Sequence, residues 1–100
     1  MKITIRKFGF VLTSRDGGKK AFSTFLPKLD HLKKDEIISV DFNGVGALSP
    51  GWADEFITPL INTYPERVVL SNTKNISVKV TIDFLVHIKN ISGEKFKIEN

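Results

Sequence analysis

An α/β domain is the fold class this sequence predicts, on three observations. Short, β-branched apolar runs at residues 36–42 and 67–71 read as strands. Around them lie stretches, 21–29 and 53–61, whose apolar residues recur at helical spacing. The two kinds of segment alternate along a chain of 100 residues, so residues 1–100 read as a single domain.

The first element is Lys2-Ile3-Thr4-Ile5-Arg6, which alternates polar and apolar as a half-buried strand does. Gly9 breaks the pattern, and Phe10-Val11-Leu12 is expected to return as the second arm of a hairpin. Thr13, with Asp16 three residues on, resembles a capping box and predicts a helix start. Ala21, Phe22, Phe25, Leu26 and Leu29 form its apolar face, and Pro27 should bend or end its last turn. Glu36–Phe42 is the expected central strand.

Residues 41–56, DFNGVGALSPGWADEF, turn that strand into a second helix. Ser49 suits the N-cap and Pro50 the first helical position, where no amide partner is needed. Asp54 and Glu55 follow early, on the side favoured by the helix dipole. Ala53, Phe56, Ile57, Leu60 and Ile61 make the core face, with Pro59 expected to kink it.

Arg67–Ser71 is the next strand. Between Ile76 and Ile88 every second residue is apolar, a strand pattern, yet Val78, Ile82, Leu85 and Lys89 also fit a helical face. Thirteen alternating residues would be a long strand here, and the β/α alternation predicts a helix over 75–89. Gly93 breaks it, and Lys95–Ile98 is expected to close the sheet as an edge strand.

The chain lacks cysteine, which excludes a disulfide scaffold, a thiol nucleophile and cysteine-based metal sites. The start MKITIRKFGF has no signal-peptide core, and no apolar run approaches the ~18 residues that span a bilayer. A cytoplasmic location, without membrane contact, is the expectation. Charge is segregated: residues 1–34 carry nine Lys/Arg and two acids, residues 35–66 six acids and no Lys or Arg. Such asymmetry marks either a partner surface or a solvated lysine shell.

Two stretches resemble the STAS-like family of small bacterial domains. Ser14-Arg15-Asp16-Gly17-Gly18-Lys19 is similar to its Ser-Arg motif with a following glycine. Val40-Asp41-Phe42-Asn43-Gly44-Val45, with Ser49-Pro50-Gly51-Trp52-Ala53-Asp54-Glu55-Phe56, is similar to its second signature, with Trp52 where Phe is more usual. The resemblance implies a mixed sheet of four to five strands with about three helices packed mainly on one face. It also implies a regulatory role. The wider superfamily includes anti-sigma-factor antagonists, which bind a serine-kinase-type ATPase and are switched by phosphorylation at the start of the second helix. Here the equivalent position falls on Pro50, which has no hydroxyl, and the candidate for phosphorylation is Ser49, one residue upstream.

The candidate partner-binding residues are Ser14, Arg15, Ser49, Trp52, Asp54 and Glu55, at the starts of the two helices. Trp52 is either a half-exposed anchor or core. Asp54 and Glu55 point ~100° apart on a helix, which suits a pairing with Arg15 better than shared acid/base chemistry. His31 and His87 stand without company, so no metal is expected. The reading is a non-enzymatic, cofactor-free regulatory module that binds another protein, such as a serine-kinase-type ATPase. The competing readings are an anion or nucleotide binder using Arg15, Gly17 and Gly18, and a nucleic-acid-associated protein using the basic first third.

Overall fold

The structure is a computed structural model that describes residues 1–99. Four strands form the main sheet: β1 (Lys2–Thr4), β3 (Ile38–Asp41), β5 (Val68–Ser71) and β6 (Phe96–Glu99), in the spatial order β1-β3-β5-β6. Three helices connect them: α1 (Arg15–Leu29), α2 (Pro50–Thr63) and α3 (Ile76–His87). Two further strands, β2 (Val11–Leu12) and β4 (Ala47–Leu48), make a small separate sheet.

Every strand pairing is parallel, where a mixed sheet was expected. The reason is the placement of residues 10–12. They do not fold back on β1 as a hairpin; a 3-10 turn at Ile5–Phe8 carries the chain away, and β2 pairs with β4. Each step of the main sheet then runs strand, helix, next strand in one direction. Right-handed crossovers taken repeatedly in one direction place all the helices on one face.

The strand sequences agree with that arrangement. Ile3, Ile38, Val40, Val68, Leu70 and Phe96 are buried. Their alternates form paired rows on the other face: Lys2, Ser39, Val69 and Lys97, then Thr4, Asp41, Ser71 and Glu99. One face therefore carries the core and the other is largely polar, unlike a parallel sheet covered on both sides.

The 75–89 segment is helical, over Ile76–His87, as the β/α alternation predicts. Asn75 caps it, accepting from the backbone N–H groups of Ser77 and Val78. Its buried side chains, Val78, Thr81, Ile82 and Leu85, follow helical spacing and override the period-two pattern. Both interior prolines are tolerated: Pro27 sits in the last turn of α1, and Pro59 lies within α2.

The helices α1 and α2 pack closely at one point. Gly18 is buried, and a Cβ there would collide with the backbone carbonyl of Trp52. An exposed helical Gly→Ala change gains ~1 kcal/mol of helix propensity, but overpacking against rigid backbone costs ~1–3 kcal/mol or more. Gly18→Ala is therefore expected to lose up to about 2 kcal/mol net, read as a lower urea midpoint; a gain would show that the helices part freely.

Candidate functional site

The starts of α1 and α2 lie side by side, with Gly51 against the Arg15 side chain. Each is closed by a serine. Ser14 Oγ accepts from the Gly17 amide at 2.9 Å, and Ser49 Oγ accepts from the Trp52 amide at 3.2 Å. The cap of α1 is thus Ser14 rather than Thr13, one residue later than the capping-box spacing indicated. Ser49 and Pro50 take the N-cap and first-turn positions assigned from sequence.

Arg15 joins the two helices. Its Nη1 donates to Asp54 Oδ2 at 2.8 Å and lies 3.6 Å from Glu55 Oε1. Asp54 is the hub: Lys89 Nζ, just beyond α3, lies 3.2 Å from the same oxygen, and Thr58 Oγ1 donates to Oδ1 at 3.1 Å. One carboxylate therefore ties the start of α1, the second turn of α2 and the end of α3. Its place in the second turn also accounts for it better than the helix dipole, whose effect fades past the first turn.

The electrostatics follow from that packing. Burial pushes the Asp54 carboxyl up, but the hydrogen bonds from Arg15, Lys89 and Thr58 outweigh it and hold it below the ordinary carboxylate range. Asp41, at the end of β3, is held low first by Asn72 Nδ2, which donates at 2.7 Å, with further support from the Asn43 amide and Lys2. Asn72 makes that contact from a left-handed backbone, φ 55°, which asparagine tolerates.

Trp52 is not a half-exposed anchor. It is 2 % exposed and stacks on Phe56 with ring centroids 5.1 Å apart. Its position on the inward side of the first turn leaves the indole in the core. Of the six candidate residues, the structure brings Arg15, Asp54 and Glu55 into one polar cluster. It uses Ser14 and Ser49 as caps, and it buries Trp52.

Lys89 and Thr58 were missed as members of the cluster. Thr58 follows Asp54 by four residues, a spacing legible in sequence. Lys89 reaches Asp54 only through the packing of α3 on α2. A groove beside α1, bordered by Lys7, Phe8, Lys20 and Lys28, was also missed; its one sequence signal is the lysine excess of the first third. At the C-terminal ends of the strands, where open α/β sheets place ligands, Asn43, Asn72, Lys74 and Asn75 border a cavity of about 380 Å³. Among the described residues no group of three or more His, Asp or Glu is placed to hold a metal ion, and no helix is long and apolar enough to cross a membrane.

Because Asp54 and Asp41 are held below their unfolded value of ~3.9, their contribution to stability is complete above that pH and is lost as pH falls through the folded values. Asp54→Asn removes one of these groups. Its acid unfolding, followed by circular dichroism, is expected to depend less steeply on pH below ~4 than that of the parent chain. An identical slope would mean that the Arg15–Asp54–Lys89 cluster does not distinguish folded from unfolded chain.

Neither the curated proteins nor the solved structures yield a match to this chain. A family model does, over residues 25–95: the STAS-like domain of unknown function (DUF4325). The matched span takes in the Asp41–Phe56 signature and all of β3 to α3, while Ser14–Lys19 lies before it. With three helices, a four-stranded parallel sheet and this match, the chain belongs to the STAS-like domain family.

Proposed function

We propose that the chain is a non-catalytic regulatory module of a bacterial cytoplasm that binds another protein, a serine-kinase-type ATPase or a different signalling partner. The observation that carries this reading is an apolar ridge on the outer side of α3. Ile76, Val80, Phe84 and Ile88 recur every four residues. Ile76 is 75 %, Val80 57 % and Ile88 67 % exposed, with Phe84 half-buried between them. A helix that is apolar on both sides of its axis has a second face suited to burial. The ridge ends beside Lys89, and so beside the Arg15–Asp54–Glu55 cluster that the sequence singles out.

The polar residues there support binding better than chemistry. The Asp54 oxygens already take three donors, and Glu55 faces Arg15. The same pairing weakens the anion-binding alternative, because the guanidinium that would hold a phosphate is turned to two carboxylates. A phosphoserine switch at Ser49 is the least supported part of the family pattern, since Pro50 has no hydroxyl and the Ser49 hydroxyl serves the α2 cap.

Val80→Glu places a charge in the middle of the ridge. As a surface change it is expected to alter stability by no more than about 0.5 kcal/mol. Wild type immobilised in native cytoplasmic extract should retain a partner that Val80→Glu loses, and purified partner should bind wild type at least about tenfold more tightly, ~1.4 kcal/mol. Equal affinities would remove the ridge as a docking surface.

A further inference from the structure

Two cavities beside α1 share Phe8 and Thr24 and together make one groove. The wider lobe, about 350 Å³, runs between Val11, Leu12 and the first three turns of α1, with Trp52 in its lining. The narrower lobe, about 190 Å³, continues past Phe25 toward β1. The lining mixes apolar side chains with hydroxyls, and its charged side chains are all lysines: Lys20 in the first lobe, Lys2, Lys7 and Lys28 in the second. Among the described residues no Asp or Glu lines either lobe.

These lysines are not equally available. Lys20 lies 3.2 Å from Asp16, and Lys2 lies 3.4 Å from Asp41. Lys28 Nζ sits over the Phe25 ring, 5.5 Å from its centroid, with no ion-pair partner among the described residues. Lys7 is exposed and has no ion-pair partner among the described residues. The backbone adds a second feature. Among the described residues β2 pairs with β4 alone, which leaves its other side a sheet edge, and Val11, which lines the wider lobe, is exposed.

We propose that this groove binds an extended acidic segment of a partner protein, with apolar side chains between its carboxylates. The lysine-only lining favours acids and repels basic segments. The free edge of β2 offers main-chain hydrogen bonds to an added strand, and the two lobes take alternate side chains. A protein segment fits better than a nucleic acid strand because the rings here are not free to stack on bases. Phe25 and Trp52 are buried, and both pack with Phe8 around Phe56. No lining residue belongs to α3, so this inference does not rest on the ridge.

The test uses a labelled synthetic peptide of alternating glutamate and leucine, its lysine-leucine counterpart, and an oligothymidylate. Anisotropy reports binding, and the emission of Trp52, the single tryptophan, reports occupancy of the wider lobe. The acidic peptide is expected to bind, shift Trp52 emission and weaken as salt rises. Lys7→Glu/Lys28→Glu should weaken it by at least about tenfold. Lys7→Arg/Lys28→Arg should retain it, and Val80→Glu should leave it unchanged. Equal binding of the lysine peptide, or undiminished affinity in the folded Lys7→Glu/Lys28→Glu chain, overturns the proposal. So does an oligothymidylate that binds more tightly and displaces the acidic peptide, which would assign the groove to nucleic acid.

Discussion

The close approach of α1 to α2 is the constraint on which the rest of the structure depends. Gly18 lets the α1 backbone meet the Trp52 carbonyl, and that approach brings Phe22 (5.7 Å) and Phe25 (6.1 Å) of α1 onto Phe56, beside Phe8 at 5.2 Å and Trp52, from the same helix as Phe56, at 5.1 Å. Ring pairs at such separations are worth ~0.5–1.5 kcal/mol each beyond their burial. Phe8 belongs to the 3-10 turn, so the same cluster fixes where the chain leaves β1 and where β2 begins. A side chain at Gly18 would move α1 outward, loosen the cluster and reshape the groove that α1 borders.

The polar contacts act outside this core and orient what it holds. An exposed ion pair contributes little, at most about 1 kcal/mol. Asp54 differs because its side chain is mostly covered and its partners come from three helical segments. Removing a partner would leave a mostly covered carboxylate short of donors, a larger loss than the pair's own worth. On the other flank, α3 is joined to β4 by side chains. Ser77 Oγ accepts from the Leu48 amide and donates to the Leu48 carbonyl, which Thr81 Oγ1 also reaches at 2.8 Å. These hydroxyls satisfy the edge of β4 that β2 does not pair, and they set which side of α3 faces water.

Much of this was legible in the sequence, for local reasons. Ser49-Pro50 marks a helix start because cap and first-turn chemistry act within a few residues, and Arg15 was matched to its acids by type and by the neighbouring helix starts. The hairpin failed because Phe10-Val11-Leu12 has equal strand character whichever partner it takes, and its choice of β4 over β1 depends on the 3-10 turn between. The mixed sheet, implied by resemblance rather than by residues, gave way for the same reason. Trp52 stayed open because composition gives no direction to a side chain in a first turn. Lys89 and the lysine groove depend on contacts between segments far apart in the chain, which no periodicity encodes.

The alternation that made residues 76–88 resemble a strand has a physical consequence once they form a helix. Apolar residues at every second position step by ~200° around the axis, so they cannot be confined to one face. Val78 and Ile82 go inward, while Ile76, Val80 and Ile88 remain in water. Fully burying such a side chain is worth ~1.5–3 kcal/mol, and these three are exposed by roughly two-thirds, so covering them all yields ~3–6 kcal/mol. Association costs ~4–15 kcal/mol in lost freedom and ordering. The ridge alone therefore sustains only weak contact. A partner that binds firmly must draw on a neighbouring feature, and the one joined to the end of α3 is the Arg15–Asp54–Glu55–Lys89 cluster. Under the proposed reading the ridge would supply burial and the cluster would discriminate among partners, which is why a charge placed at Val80 and a charge removed at Asp54 should affect recognition differently.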